Sequence, residues 1–301
     1  MPPVDVSKLP TSETPVKYNR RDLILYAIGI GIDELRYVYE LDKNFAAFPT
    51  FPIVLPFRGT SFDVIDFIGA QKSSNSRIPG VKLDPAKVLD GERFIEILNP
   101  LPLEGELIAR SRTSNVYDVG KAAILENETL LVDKSGKPYV KMVGQAFFRD
   151  AGGFGGPRPP KQGPEATPPS RPAEKVIAFK TSPTQAQVYR LSGDYNPLHI
   201  DPAFSGRVGF KVPILHGLCS WGIAAHSVLK LWGDNDASRF VSYKGRFTAP
   251  VLPGETLQTE SWLVRTEGDK QIISFQVRIV ERNIIAIGGG VAVIKAAGSK
   301  L

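Results

Sequence analysis

The sequence predicts an α+β protein built from two similar units, each a long helix wrapped by an antiparallel sheet, with a glycine- and proline-rich linker between them. Three observations carry this expectation. Two stretches, one per half, give the same succession of alternating or β-branched runs broken by turn residues. Each half also opens with an apolar helix candidate, and residues 151–172 are too rich in Gly and Pro to bury a core. The implied divisions are a first unit over 1–150, a linker over 151–174, a second unit over 175–296 and a tail over 297–301.

In the first half the strand stretch is "LPLEGELIARSRTSNVYDVGKAAILENETLLVDKSGKPYVKMVGQAFF"; in the second it is "PVLPGETLQTESWLVRTEGDKQIISFQVRIVERNIIAIGGGVAVI". Gly105-Glu106 align with Gly254-Glu255, and at the same offset Lys121 meets Lys270. Period-two alternation between such turns predicts three antiparallel strands in each, and an internal duplication explains the match. The first helix candidate is "RRDLILYAIGIGI", with Asn19 placed as its N-cap. The second, Ile214 to Trp232, is apolar all round, which predicts burial on most sides. The linker could span on the order of 70 Å when extended. Its "GFGGPR" lacks the lysine–serine/threonine ending of a phosphate loop and precedes no helix pattern.

Bulk properties narrow the function. Of 301 residues, 42% are hydrophobic and 23% charged, the balance of a globular protein. One cysteine, Cys219, excludes an internal disulfide and points to a reducing compartment. The net charge of +6 comes without a lysine–arginine run, which argues against nucleic acid as partner. "LILYAIGIGI" is about half the length a bilayer crossing needs, and the N-terminal residues lack the apolar core of a signal peptide. The last three residues, Ser299-Lys300-Leu301, read as the peroxisomal address and imply the import receptor as a partner.

The chemistry-bearing stretch is "YRLSGDYNPLHIDP", Tyr189 to Pro202. Pro197 has no N–H and pushes Asn196 out of helical geometry, so Asp194 and His199 sit on a loop. The helix after it begins near His216-Gly217, where unpaired N–H groups and the helix dipole favour negative charge. Gly217 carries no side chain, so a ligand carbonyl could approach its N–H, an oxyanion-type donor suited to a thioester. Asp194 and His199 would then take one proton from water and deliver another to carbon. His216 and His226 read as structural, as does Cys219, and the three histidines have no metal-ligand spacing. All three lie in the second half, so only one site of this kind is expected.

"LSGDxNPLHxDP" followed by "HGL" resembles the R-specific 2-enoyl-CoA hydratase 2 group, the MaoC-like dehydratases, and "GERFIEILNPLPLEGEL", "GGFGG" and "KGRFTAPVLPGETL" are similar to its eukaryotic two-unit form. The resemblance implies a tandem hot-dog fold and a peroxisomal enzyme that hydrates trans-2-enoyl-CoA to (3R)-3-hydroxyacyl-CoA, with no metal and no redox cofactor. It implies Asp194 and His199 as the catalytic pair, Asn196 shaping the site and Gly217 holding the thioester oxygen. Tyr195, Pro197 and Leu198 within the string, and Phe247, would line the acyl-CoA. Relatives carry His-Gly where this chain has Asp90-Gly91, and Val119 stands at a family lysine, with Lys121 nearby; Asp90, Gly91 and Lys121 are carried over as substrate-binding. The first half is implied to take the acyl chain, and "NFAAFPTFPIVLPF" offers apolar residues for it. Competing readings are a hot-dog thioesterase, a non-catalytic acyl-CoA binder, and a dehydratase of a specialised biosynthetic pathway; a homodimer is a further expectation.

Overall fold

Ten strands hydrogen-bond into one antiparallel sheet. The first half contributes β1 (Ser12–Tyr18), β2 (Val88–Ile97), β3 (Gly105–Asp118), β4 (Ala122–Val132) and β5 (Pro138–Arg149). From the second come β6 (Lys175–Lys180), β7 (Phe240–Phe247), β8 (Thr256–Glu267), β9 (Lys270–Ile279) and β10 (Ile284–Lys295). Their order is β1-β3-β4-β5-β2-β7-β10-β9-β8-β6, so reading inward from either edge gives the same succession. The seam is the β2–β7 pair, with Phe94 opposite Lys244. Duplication at the offset read from the sequence therefore appears as a mirrored strand order. The computed structural model describes residues 4–67, 69, 78–84 and 87–297; the Ser299-Lys300-Leu301 address lies outside them.

Turn glycines set the strand ends: Gly120 between β3 and β4 has φ +88°, and Gly268 between β8 and β9 has φ +59°. Between turns the alternation holds, and β9 turns Ile273, Phe275, Val277 and Ile279 into the core. Helix α1 (Arg20–Gly29) starts at Asn19, whose side chain accepts the Asp22 N–H while Asp22 accepts the N–H of Asn19, a reciprocal capping box. A shorter helix, α2 (Gln185–Tyr189), follows β6. The long helix α3 (Gly217–Gly233) lies against β6, β7, β8 and β10. Trp221, Ala224, Ala225, Val228 and Leu229 are wholly buried on it, as an all-round apolar sequence requires. Among the described residues no helix is long and apolar enough to cross a membrane.

Two expectations need correction. The helices of the halves are not equivalent: α1 has 10 residues against 17 in α3, and among the described residues no first-half helix is longer. Following β1 as α2 follows β6, α1 is the counterpart of α2, not of α3. It packs on α2 so closely that a Cβ on Gly29 would lie 3.2 Å from Tyr189 Cα. It stops where Gly31, at φ +79°, leaves room for the Phe179 ring. The Gly- and Pro-rich segment, for its part, does contribute buried residues. Ala151, Phe154 and Ala166 are buried, and the Asp118 carboxylate accepts the N–H groups of Gly120, Gly153 and Gly155 at 2.9, 3.1 and 2.8 Å. Glycines allow this approach, since a Cβ on Gly152 would lie 2.3 Å from the Gly120 carbonyl oxygen.

Candidate active site

After α2 the chain turns through Arg190–Ser192 into Gly193, whose φ of +134° is open to glycine. A Cβ there would lie 3.0 Å from Arg58 Cβ. Arg58 is itself fixed by a buried ion pair to Asp22 at 2.8 Å and by donation to the Ser61 carbonyl. The first half thus backs the loop. Asp194 accepts the Asn196 N–H at 3.3 Å, and the Asn196 side chain accepts the Leu198 N–H at 3.0 Å, capping a 3-10 turn over Pro197–His199. That turn brings His199 back beside Asp194.

The His199 ring bonds the Ile214 carbonyl through Nδ1 at 2.9 Å. A carbonyl can only accept, so Nδ1 carries the hydrogen and Nε2 keeps its lone pair. His216, the N-cap residue of α3, donates from Nε2 to the Asp194 carbonyl at 3.1 Å and stacks on His199 with ring centroids 3.8 Å apart. Burial raises the Asp194 pKa, with the His199 charge opposing it, and burial lowers that of His199, with Asp194 opposing. Both directions favour a neutral carboxylic acid beside a neutral imidazole. His216, buried and next to His199, is held well below its ordinary value. Asp194, His199 and His216 each bring one donor atom within 4.8 Å of the others. That set is poorly arranged for a metal: each imidazole already engages a carbonyl through one nitrogen, and stacked rings run their lone pairs side by side instead of converging.

Asp194 and His199 line a cleft of about 450 Å³ between the halves, with His216 behind them. Of the residues named from the sequence, Asp90, Asp194, Asn196, Leu198, His199, Gly217 and Phe247 border it. Gly217 opens α3, and a Cβ there would lie 3.2 Å from Phe247 Cε1, so the glycine keeps the helix N-terminus accessible beside that ring. Phe57, Phe67, Val88, Leu89 and Ala146 form an apolar wall from the first half.

Four named residues stay outside the lining. Gly91 forms a bulge in β2, where a Cβ would lie 2.8 Å from the Gln145 carbonyl oxygen. Tyr195 is buried with its hydroxyl donating to the Leu191 carbonyl at 3.4 Å, under the Arg190 guanidinium. Pro197, half-buried at the start of its turn, does not border the cleft, and Lys121 is exposed in the β3–β4 turn, two strands from β2. From "NFAAFPTFPIVLPF" only Phe57 reaches the cleft; Phe48, Pro49 and Pro52 line a separate apolar pocket of about 190 Å³ near Ile97, at the other end of β2. The Cys219 thiol is buried against the Gly29 carbonyl, and His226 bonds Glu34 at 3.2 Å, both in the structural positions expected.

Arg93 borders the cleft and was not singled out by its sequence context. Its signal was available: on β2 it shares a phase with the fully buried Ile95, a charge on the inward face of an alternating strand.

Residues 164–283 match the MaoC like domain family, and residues 16–150 match the MFE-2 hydratase 2 N-terminal domain family. The chain is 41% identical over 299 residues to a probable enoyl-CoA hydratase 2 of Dictyostelium discoideum, covering 97% of both. It is 36% identical to the peroxisomal multifunctional enzyme type 2 of Drosophila melanogaster, covering 96% of this chain and 48% of that longer protein. A crystal structure of a MaoC-like dehydratase from Phytophthora capsici superposes with a TM-score of 0.88 at 40% identity, covering 98% of each chain. At fold level, a Mycobacterium tuberculosis protein described as a double hotdog fold superposes with a TM-score of 0.61 at 13% identity, covering 97% of each chain.

Proposed function

The chain belongs to the MaoC-like hydratase 2 family, with the MFE-2 hydratase 2 N-terminal domain preceding the MaoC-like domain on a double hot-dog fold, and from this premise we propose that it is a hydro-lyase adding water to trans-2-enoyl-CoA to give (3R)-3-hydroxyacyl-CoA. The observation that carries the reading to these residues is the convergence of Asp194 and His199 in one cleft with the N-terminus of α3.

In this mechanism the His199 Nε2 lone pair takes a proton from water as the oxygen bonds C3 of the enoyl group. The electron pair of the double bond moves toward the thioester, whose oxygen gains charge against the Gly217 N–H and the helix dipole. Protonated Asp194 delivers its proton to C2, completing addition of H and OH. The raised Asp194 pKa and the Nδ1–H bond of His199 both support this assignment of acid and base. With both groups on one side of the enoyl plane, water would reach one face of C3 and a single enantiomer would form. Asn196 and Leu198 hold the turn and border the ligand, while Phe247 and the first-half wall flank the acyl thioester.

The Drosophila relative is named peroxisomal. Import through Ser299-Lys300-Leu301 would place this enzyme in peroxisomal fatty-acid metabolism. The test is an assay with crotonyl-, decenoyl- and hexadecenoyl-CoA followed by chiral analysis. Loss of enoyl absorbance with (3R) product is expected; release of free thiol would point to a thioesterase, and no turnover of any chain length would end the proposal.

A further inference from the structure

Opposite the acid–histidine pair, the first half places two charges in an otherwise apolar wall. Arg93 donates from Nε to both Asp90 carboxylate oxygens, at 2.8 and 3.1 Å. Their side chains are 27% and 33% exposed, and both border the cleft that holds Asp194 and His199. The strand is arranged to admit this pair. Arg93 lies opposite Gly144 on β5 and Gly245 on β7, glycines on both flanks. A Cβ on Gly144 would come 2.6 Å from Arg93 Nη1, so the guanidinium lies flat over a gap left by the missing side chain. An inward arginine is expensive to desolvate unless its charge is answered. Asp90 answers it.

We infer that Asp90 and Arg93 act as a charge-balanced positioning pair that fixes the proton inventory of Asp194 and His199 across the cleft. Arg93 is a cation within electrostatic reach of Asp194 and favours its anion; Asp90 disfavours it. The two act in opposite directions, and burial and the mutual attraction of Asp194 and His199 outweigh either. Of the other groups facing the pair, all but Arg190 are neutral or already paired; Arg190 is a cation whose Nε has no hydrogen-bond partner among the described residues, and it is common to every variant compared below. His216 and Tyr189 are buried and uncharged at neutral pH, and Arg58 behind Gly193 is matched by Asp22. Arg190 lies over the Tyr195 ring. The inference deepens the hydratase reading and rests on it for its kinetic test.

The sign follows from charge alone, whichever member of the catalytic pair is the base. Removing a nearby cation makes protonation of both groups easier, so Arg93→Gln moves both limbs of the pH profile of kcat/KM to higher pH. Removing a nearby anion does the opposite, so Asp90→Asn moves them to lower pH. A displacement of about half a pH unit each way is expected for partly screened charges across a cleft. The double variant returns close to the parent profile, and Arg93→Lys leaves it in place. Titration of the His199 ring by NMR in the full-length chain reads the same displacements without turnover, so failure of the hydratase assay with opposite ring shifts intact would sink only the reaction assignment. Shifts in the same direction, no shift, or a double variant that does not return overturn the inference. Should Arg93→Gln fail to fold, an Asp90→Asn profile that stays or moves upward overturns it alone.

Discussion

The two halves share a scaffold and, in the proposed mechanism, divide the chemistry. Reading β1-β3-β4-β5-β2 against β6-β8-β9-β10-β7, the strands correspond one for one, and the halves meet at their innermost members. What differs is the connection from the first strand to the innermost one. In the second half, residues 181–239 hold the acid–asparagine–histidine loop and then α3, whose N-cap His216 bonds the Asp194 carbonyl of that loop. In the first, the connection begins with α1 and contributes a buried Arg58–Asp22 brace behind Gly193 together with apolar cleft residues. A duplicated sheet fixes where a site can be; a helix terminus and two titratable side chains decide which copy becomes one. The other copy supplies its wall and its support.

The sharpest break of this comparison removes the chemistry from the second half. Asp194→Asn cannot deliver a proton and His199→Gln cannot take one, so each should lower kcat about 10²- to 10⁴-fold. Circular dichroism and melting should stay near those of the parent, because Asn keeps the shape of Asp and the Gln amide can still donate to the Ile214 carbonyl that His199 bonds. Comparable residual turnover in either variant would show that the first half, or another group, carries the reaction.

A smaller effect sharpens the role of the helix end. Gly217→Ala places a methyl group 3.2 Å from Phe247 Cε1, tighter than ordinary contact, at the point where a thioester oxygen would meet the first N–H. Turnover should fall about tenfold through displaced substrate, and Phe247→Leu in the same chain should restore part of it by making room. If Gly217→Ala is silent, the thioester does not bind at the start of α3.

How much of this could be read from the sequence depended on how local the cause was. Strands were legible because alternation and turn glycines act over a few residues, and α3 because its apolar surface runs all round. The start expected near His216-Gly217 lies at Gly217, since His216 is extended at ψ 132° and serves as the N-cap, although the apolar run reaches back to Ile214. The first-half helix was overestimated because "AIGIGI" continues the apolar pattern past Gly29 while Gly31 ends it by packing on Phe179, a contact from the other half. Within the site, residues adjacent in the string do not share a direction. The turn over Pro197–His199 sends Leu198 and His199 to the cleft while Tyr195 is tied to the Leu191 carbonyl. Lys121 was carried by sequence position, and sheet geometry puts it two strands from β2. The His216 contact with the Asp194 carbonyl depends on a distant partner that no local pattern announces.

The smallest predicted effect concerns the strap that joins the halves. The three backbone N–H groups on Asp118 hold its pKa below the ordinary value. A depressed folded pKa stabilises above the unfolded value and is lost as pH falls through the folded one, so the pin should hold from neutral pH down to about pH 4 and weaken below it. Asp118→Asn offers one neutral oxygen to donors that now share two charged ones, and should loosen the strap already at neutral pH. The readout is amide hydrogen exchange over residues 151–157, faster in the variant at pH 7 and converging with the parent under acid, while the Asp194 loop exchanges as before. Equal exchange in both proteins at pH 7 would mean that burial of Ala151 and Phe154 holds the strap without the carboxylate. Faster exchange in the Asp194 loop as well would mean that the first half supports the site through the strap in addition to Arg58.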